Sequence, residues 1–271
     1  MEQAVNQKDP LVILITGAAS GLGWELSKLY VAQGHKIVMV DVQQELLIER
    51  AQMLNNADQV QIMVTDVTSS EAITQTIDHI KESHGRLNVL INNAGITHRS
   101  LIEKTQVSVF KKVMAVDYQG PVELALAALP LLKESKGKII NVSSMAGWMP
   151  VLGRAGYCAA KSALHQFFEV MRCEVKQYGV SILMVYPSFL DTPIEVNALG
   201  ADGERATHAR SLVGALGNAE DVAQAIVKAH KQGKKRLFPD KFTWLASVLY
   251  KLWPDMFLKS MSKKFASEFD S

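Results

Sequence analysis

Tyr157 and Lys161, in the run YCAAK, are the pairing in this sequence best suited to move a proton. On a helix, residues at i and i+4 share one face, which puts the phenol beside the ammonium. A tyrosine with its ordinary pKa of about 10 is a poor acid or base near neutrality. A neighbouring ammonium favours the phenolate, so the pair could pass a proton to or from an alcohol or ketone oxygen. Ser144 stands thirteen residues earlier, at the end of an apolar run, and its hydroxyl could hydrogen-bond the same oxygen. The Y-x-x-x-K spacing is also common on ordinary surface helices, so it asks for a second feature that gives it a purpose.

That feature is a glycine-rich segment near the start of the chain. Leu11–Ile15 reads as a strand buried on both faces, Thr16 and Gly17 end it, and Ser20, Gly21, Leu22 and Gly23 follow. From Leu22 to Gln33, Leu22, Leu26, Leu29 and Tyr30 recur at helical spacing. Strand, glycine turn and helix together aim free N–H groups and the positive helix end at a phosphate. Asp41 ends the second apolar run about 20 residues beyond the loop, where a carboxylate accepts ribose hydroxyls and repels a 2′-phosphate. No Arg or Lys lies in Ala18–Leu22 or directly after Asp41 to bind that phosphate. A solvated strand-end aspartate is the plainer alternative. Beside the loop, the carboxylate points to NAD(H), with NADP(H) less favoured.

These groups need a scaffold, and the apolar runs supply one. Strands are predicted at Leu11–Ile15, Lys36–Val40, Val60–Val64, Leu87–Ile91, Lys138–Val142 and Val180–Val185, with a short last one at Arg236–Phe238. Helical stretches fall between them: Leu22–Gln33, Glu45–Leu54, one capped by Ser69, and Gln106–Leu132 interrupted at Gly120-Pro121. Gly156–Tyr178 and a helix from the Asn218 cap to Lys231 complete the set. Alternation of this kind specifies an α/β fold, a doubly wound parallel sheet with helices on both faces. Its ligands sit beyond the carboxyl ends of the strands, where every motif above falls. Residues 1–271 read as one domain, with a long substrate loop at 191–217 and an apolar extension at 242–271.

Composition narrows the function. The 271 residues are 48% hydrophobic and 21% charged, with a net charge of +2 and no long basic block, so no nucleic-acid partner is implied. Cys158 and Cys173 fall in one helix, too far apart to bridge, which suits a reducing compartment. The polar N-terminus lacks a signal-peptide core and no apolar run is long enough to span a bilayer, so a cytoplasmic location is expected. His79, His84, His98, His165 and His208 show no metal-ligand spacing, and no metal is expected. Met145, Trp148 and Met149 follow Ser144 and could floor a substrate site; Met171 and Met184 read as core.

Taken together, TGAASGLG (Thr16–Gly23), Asp41, Asp66-Val67, NNAG (Asn92–Gly95), Ser144 and YCAAK (Tyr157–Lys161) resemble the short-chain dehydrogenase/reductase family over roughly residues 11–192. The resemblance implies a Rossmann-like domain of about seven strands, a nicotinamide cofactor, and an oxidoreductase of alcohols and carbonyls that is commonly a homodimer or homotetramer; the leading reading is a fairly lipophilic secondary alcohol or ketone as substrate. It makes Tyr157 the general acid/base, Ser144 the group orienting the substrate oxygen, and Lys161 both the partner of Tyr157 and a ribose ligand. It assigns cofactor contacts to Gly17, Ser20, Gly21, Leu22, Gly23, Asp66, Val67, Asn93, Ala94, Gly95, Pro187 and Thr192. Two positions depart from the family pattern. Asp117 stands where a catalytic Asn is usual, and Tyr186-Pro187-Ser188 replaces a Pro-Gly pair, putting Ser188 where a glycine lets the nicotinamide approach. An NAD(H)-holding regulator with slow turnover is therefore the alternative to an enzyme.

The extension offers two stripes at helical spacing, Phe242-Leu245-Leu249-Leu252 and, beside it, Trp244-Val248-Lys251. Burial of the first stripe over the protein's own substrate cleft is the leading expectation. A subunit interface and, through Lys241, Lys251, Lys259, Lys263 and Lys264, peripheral contact with anionic lipid follow.

Overall fold

The computed structural model describes residues 9–207 and 216–265. Its strands are β1 (Val12–Thr16), β2 (Lys36–Asp41), β3 (Val60–Val64), β4 (Val89–Asn92), β5 (Lys138–Val142), β6 (Ser181–Val185) and β7 (Arg236–Leu237). They form one parallel sheet in the order β3-β2-β1-β4-β5-β6-β7. The order reverses between β1 and β4, so a crevice opens beyond their carboxyl ends. This is the doubly wound parallel sheet that the alternating runs predicted, and the Rossmann-like form that the family resemblance implied.

Both faces are covered, which is why β1 is apolar without alternation and buried throughout. On one face α1 (Gly21–Ala32), α2 (Gln44–Leu54) and α8 (Ala219–Lys231) set Leu26, Tyr30, Leu47 and Ile226 against Ile13, Ile15 and Ile37. On the other, α3 (Ser70–His84), α5 (Gly120–Glu134) and α6 (Ala155–Val175) set Ile77, Leu124 and Phe168 against Val12, Leu14 and Val38. The caps lie where their residue types predict, with the Ser69 hydroxyl accepting from Ala72 N–H and the Asn218 carbonyl from Glu220 N–H.

The helical region after β4 does not break at Gly120-Pro121. Helix α4 (Val107–Met114) runs through a π-turn, Ala115–Gln119, directly into α5. Pro121 lies in the first turn of α5, where its missing N–H and its ring are tolerated. Gly120 answers a packing demand, since a Cβ there would stand 2.5 Å from the Val67 carbonyl oxygen. Strand β4 also starts two residues later than the apolar run suggested, because Leu87 packs into the core ahead of the ladder.

The 191–217 segment is partly ordered by short contacts. It holds α7 (Pro193–Val196), and bridges join Leu190 to Gly217 and His98 to Leu199. Residues 208–215, with His208, lie outside the described residues. The C-terminal extension forms α9 (Lys241–Leu252) and α10 (Pro254–Lys264), Pro254 opening the second helix. The buried side of α9 is not the predicted stripe. Leu245 and Leu252 are exposed, Thr243 and Ser247 are buried, and the side chain of Phe242 lies outside the described ones. Ala246, Tyr250, Phe257, Met261 and Phe265 instead pack on Met145, Met149, Val151 and Phe189. The expected packing against the protein's own cleft therefore occurs, through a different face.

Candidate active site

Beyond the strand ends lies a cleft of ≈ 540 Å³ that runs from Asp41 to Tyr157. At its first end the chain turns from β1 into α1 through Gly17, at φ +63°, and Gly21, at φ +52°, backbone positions that glycine occupies without strain. Ser20 precedes α1 without a side-chain cap, and no acidic residue occupies the first turn. The open N–H groups and the positive helix end therefore remain available to an anion. Gly17, Ser20, Gly21 and Leu22 line the cleft, whereas Gly23 does not. A Cβ at Gly23 would fall 2.1 Å from the Gly17 carbonyl oxygen, so that glycine serves the packing of α1 on the turn.

Asp41 braces the same turn. Its Oδ2 accepts from Ala19 N–H at 3.1 Å and its Oδ1 from Gln43 N–H at 3.1 Å, with the carboxylate in the cleft wall. Asp66, Val67, Asn93, Ala94, Gly95, Pro187 and Thr192 line the cleft as well. Asn93 works mainly as a strap, its amide donating to the carbonyls of Thr16 and Gly17. Thr192 closes down on the loop: a Cβ at Gly21 would meet its side chain at 3.2 Å.

At the other end, β5 delivers Ser144 and α6 delivers Tyr157 and Lys161, all in the cleft wall. The Ser144 hydroxyl lies close enough to Tyr157 to favour its phenolate. Asp117, carried by the π-turn, is fully buried behind them rather than in the wall. Its Oδ1 accepts from Ile96 N–H at 2.8 Å, and its Oδ2 stands 3.9 Å from Lys161 Nζ, with no hydrogen-bond donor of its own. Burial raises the Asp117 pKa to about 6, with the Lys161 charge and the Ile96 N–H pulling the other way. Burial also raises the Tyr157 pKa, and the Asp117 carboxylate adds to it, while the Ser144 hydroxyl opposes both. Tyr157 is thus a phenol at neutral pH. Gly95 makes the ion pair fit, since a Cβ there would lie 3.1 Å from Asp117 Oδ1 and 3.4 Å from Lys161 Nζ.

Three further residues organise this end without having shown it in sequence. His98 is fully buried and its Nε2 accepts the N–H of Gly156, the residue before Tyr157, at 2.9 Å. Burial and the Arg154 charge lower its pKa to about 4, so it stays neutral and fixes the start of α6. Arg154, one helical turn before Tyr157, donates to Thr97 Oγ1 at 3.0 Å and to Glu195 Oε2 at 2.8 Å. That pair, almost wholly buried, ties α7 to the start of α6. One clue was the position of Arg154 at i−3 from Tyr157; Glu195 and His98 had no local signal. Met145 lines the cleft and Met149 packs just behind it. Trp148 does not floor the site, because it stacks among His165, Tyr186 and Phe238 beneath Lys251.

The family pattern described as short chain dehydrogenase matches residues 11–202, which include the glycine turn, the β4 edge and the Ser144, Tyr157 and Lys161 cluster. The chain belongs to the short-chain dehydrogenase family. This is a family of oxidoreductases, and its members among the relatives share most of the chain. Dehydrogenase/reductase SDR family member 7B of Xenopus laevis is 33% identical over 262 residues, covering 93% of this chain and 81% of the other. The fold matches a short chain dehydrogenase/reductase from Burkholderia phymatum in complex with NAD, with TM-score 0.81, 22% identity, and 94% and 97% of the two chains covered. It also matches a short chain dehydrogenase from Burkholderia cenocepacia in complex with NADP, with TM-score 0.79, 21% identity, and 93% and 97% covered. In this short-chain dehydrogenase the residues present fit a dinucleotide, because α1 leaves its first N–H groups uncapped and uncompensated at the glycine turn. Asp41 and Lys161 stand at the two ends of the same cleft.

Proposed function

We propose that the protein interconverts a fairly lipophilic secondary alcohol and its ketone with NAD(H) as hydride carrier. The observation that carries this reading is the pairing of charges around Ser144 and Tyr157. Lys161 faces Asp117 and Arg154 faces Glu195, so among the described residues the two buried cations beside Tyr157 each face an anion. Met145, Val151 and Phe189 supply apolar wall beside it. A neutral, greasy molecule with one polar oxygen suits that surface, whereas a charged one would leave its charge unpaired.

In the reducing direction, Ser144 and Tyr157 hold the carbonyl oxygen by donated hydrogen bonds, and Tyr157 gives up its proton as charge develops there. Alcohol oxidation runs the same path backwards, with the phenolate taking the proton. NAD(H), when bound, supplies or accepts the hydride at the substrate carbon. Lys161 stabilises the phenolate and would hold the nicotinamide ribose, while Asp41 would hold the adenosine ribose and repel a 2′-phosphate. Assembly as a homodimer or homotetramer, in the cytoplasm, belongs to the same proposal and rests on the family likeness and the cysteine usage. Turnover of NADH or NAD across ketones and alcohols graded by chain length and charge tests the reaction. Rates should rise with apolar size and fall for carboxylate-bearing members. Tight NADH binding without turnover of any of them would favour an NAD(H)-holding regulator, the reading that the Asp117 carboxylate beside Lys161 supports.

A further inference from the structure

Helix α9 is apolar on its outer side as well as on the side that packs against the cleft wall. Its buried side presents Thr243 and Ser247, 0% and 7% exposed, with hydroxyls satisfied locally by Asp240 and by the Trp244 carbonyl. Its outer side presents Trp244, Leu245 and Leu252, each more than half exposed. Trp253 and Met256, equally exposed, continue the apolar surface across the junction into α10, and Leu258 borders it. An ordinary solvated helix would be polar on its outer side, and scattered exposure does not place two tryptophans, two leucines and a methionine together. The charges around them are one-sided. From 241 to 264 there are five lysines and a single acid, Asp255. Lys241, Lys259, Lys263 and Lys264 are exposed, and Lys251 lies over the Trp148 ring.

From this combination we infer that the outer face of α9 and α10 docks on a bilayer surface rich in anionic phospholipid. Tryptophan, with an apolar ring and a polar N–H, settles at the headgroup level, and lysines reach past apolar neighbours to the phosphates. The lysine excess is what selects lipid over a second copy of the chain, since two such faces meeting would bring like charges together. Contact is peripheral: among the described residues no helix is long and apolar enough to cross a membrane. The same two helices put their inner face on Met145, Val151 and Phe189 of the cleft wall. Docking therefore sets the cleft's apolar side next to the lipid, and a lipophilic substrate could pass between them without crossing water. That last step rests on the proposed reaction; the docking does not.

The test is co-sedimentation of the full chain with vesicles of phosphatidylcholine alone and with vesicles of equal parts phosphatidylcholine and phosphatidylserine. The protein should pellet with the anionic vesicles, release on raising the salt, and remain in solution with the neutral ones. Trp244→Glu with Trp253→Glu, and separately Lys259→Glu with Lys263→Glu, should each weaken binding by roughly tenfold or more. Both variants should keep the wild-type thermal midpoint and NADH affinity, which separates a lost surface from a lost fold. Binding that ignores phosphatidylserine, or that survives both variants, would overturn the inference. So would a lipid-free oligomer that the tryptophan variant dissolves, because the face would then belong to a second copy. Since binding is read without turnover, a failure to find a substrate leaves this result standing.

Discussion

The two ends of the cleft are built by opposite strategies. The cofactor end is mostly backbone: a turn with two glycines in the left-handed region, an uncapped helix start, and Asp41 and Asn93 bracing the turn through main-chain groups. The substrate end is mostly side chain, assembled from the β4 exit, the π-turn, the start of α6 and the described part of the 191–217 segment. Two buried ion pairs bind the last three of those pieces, and the same side chains reach the β4 exit through the Ile96 N–H to Asp117 and Arg154 to Thr97 hydrogen bonds. A site made of backbone tolerates sequence change outside its glycines, while one made of buried charges depends on each partner. The cofactor end should therefore lose affinity by degrees, and the substrate end should lose chemistry or selectivity abruptly.

The largest effect is expected at Tyr157. Tyr157→Phe keeps the ring and removes the proton, so kcat should fall by about 10²–10⁴-fold. NADH affinity, measured by fluorescence titration, should barely change. A parallel loss of NADH binding would mean that the two ends are not separable.

Asp41→Ala probes the other end. Losing the carboxylate should raise kcat/KM with NADP(H) relative to NAD(H) by up to roughly a hundredfold, the scale of an unpaired charge clash. A preference that does not move would show that the backbone alone selects the cofactor.

Glu195→Gln leaves Arg154 with a hydrogen bond and no counter-charge. Neutral substrates should lose roughly tenfold in kcat/KM, and ketones carrying a carboxylate should gain on them as they meet the freed guanidinium. Unchanged selectivity across the panel would remove the charge-pairing argument.

The smallest effect is a shift of pH. The Asp117 carboxylate raises the Tyr157 pKa, so Asp117→Asn should move the rising limb of alcohol oxidation toward lower pH. Stability carries the same signature. The Asp117 pKa is raised from 3.8 to about 6, so the folded chain holds the proton more tightly than the unfolded chain. That contribution is complete below the unfolded value and disappears as pH rises through about 6. Urea midpoints on either side of that window should show the loss in the wild type and not in Asp117→Asn.

Legibility followed construction. Strands, caps and the cofactor turn could be read because each is written in neighbouring residues: a run of branched side chains, Ser69 or Asn218 ahead of a helix, glycines four or fewer apart. Tyr157 and Lys161 were equally local. Arg154, Glu195 and His98 were not, because their meaning lies in contacts between segments tens of residues apart. The α9 stripe was misread for a related reason. Helical spacing identifies a face but not which of two faces the protein buries, and here Ala246 and Tyr250, rather than Leu245 and Leu252, meet the cleft wall. Gly120-Pro121 looked like a break because a proline usually ends a helix; the π-turn before it absorbed the irregularity.

That π-turn fixes more than the direction of Asp117. It carries one residue beyond what an α-helical repeat would use, with the N–H of Gly120 reaching the carbonyl of Ala115. Upstream of it α4 is seated on α6, and downstream α5 is seated on α3 and the sheet. Deleting one residue from Ala115–Gln119 would make the helix more regular and yet advance one half against the other by about 100°. Val109 and Val113, or else Leu124 and Ala128, would then point away from the layer that now holds them. Chain length through this stretch acts as a phase setting between two packed layers, and a deletion there would be felt as a rotation rather than as a gap.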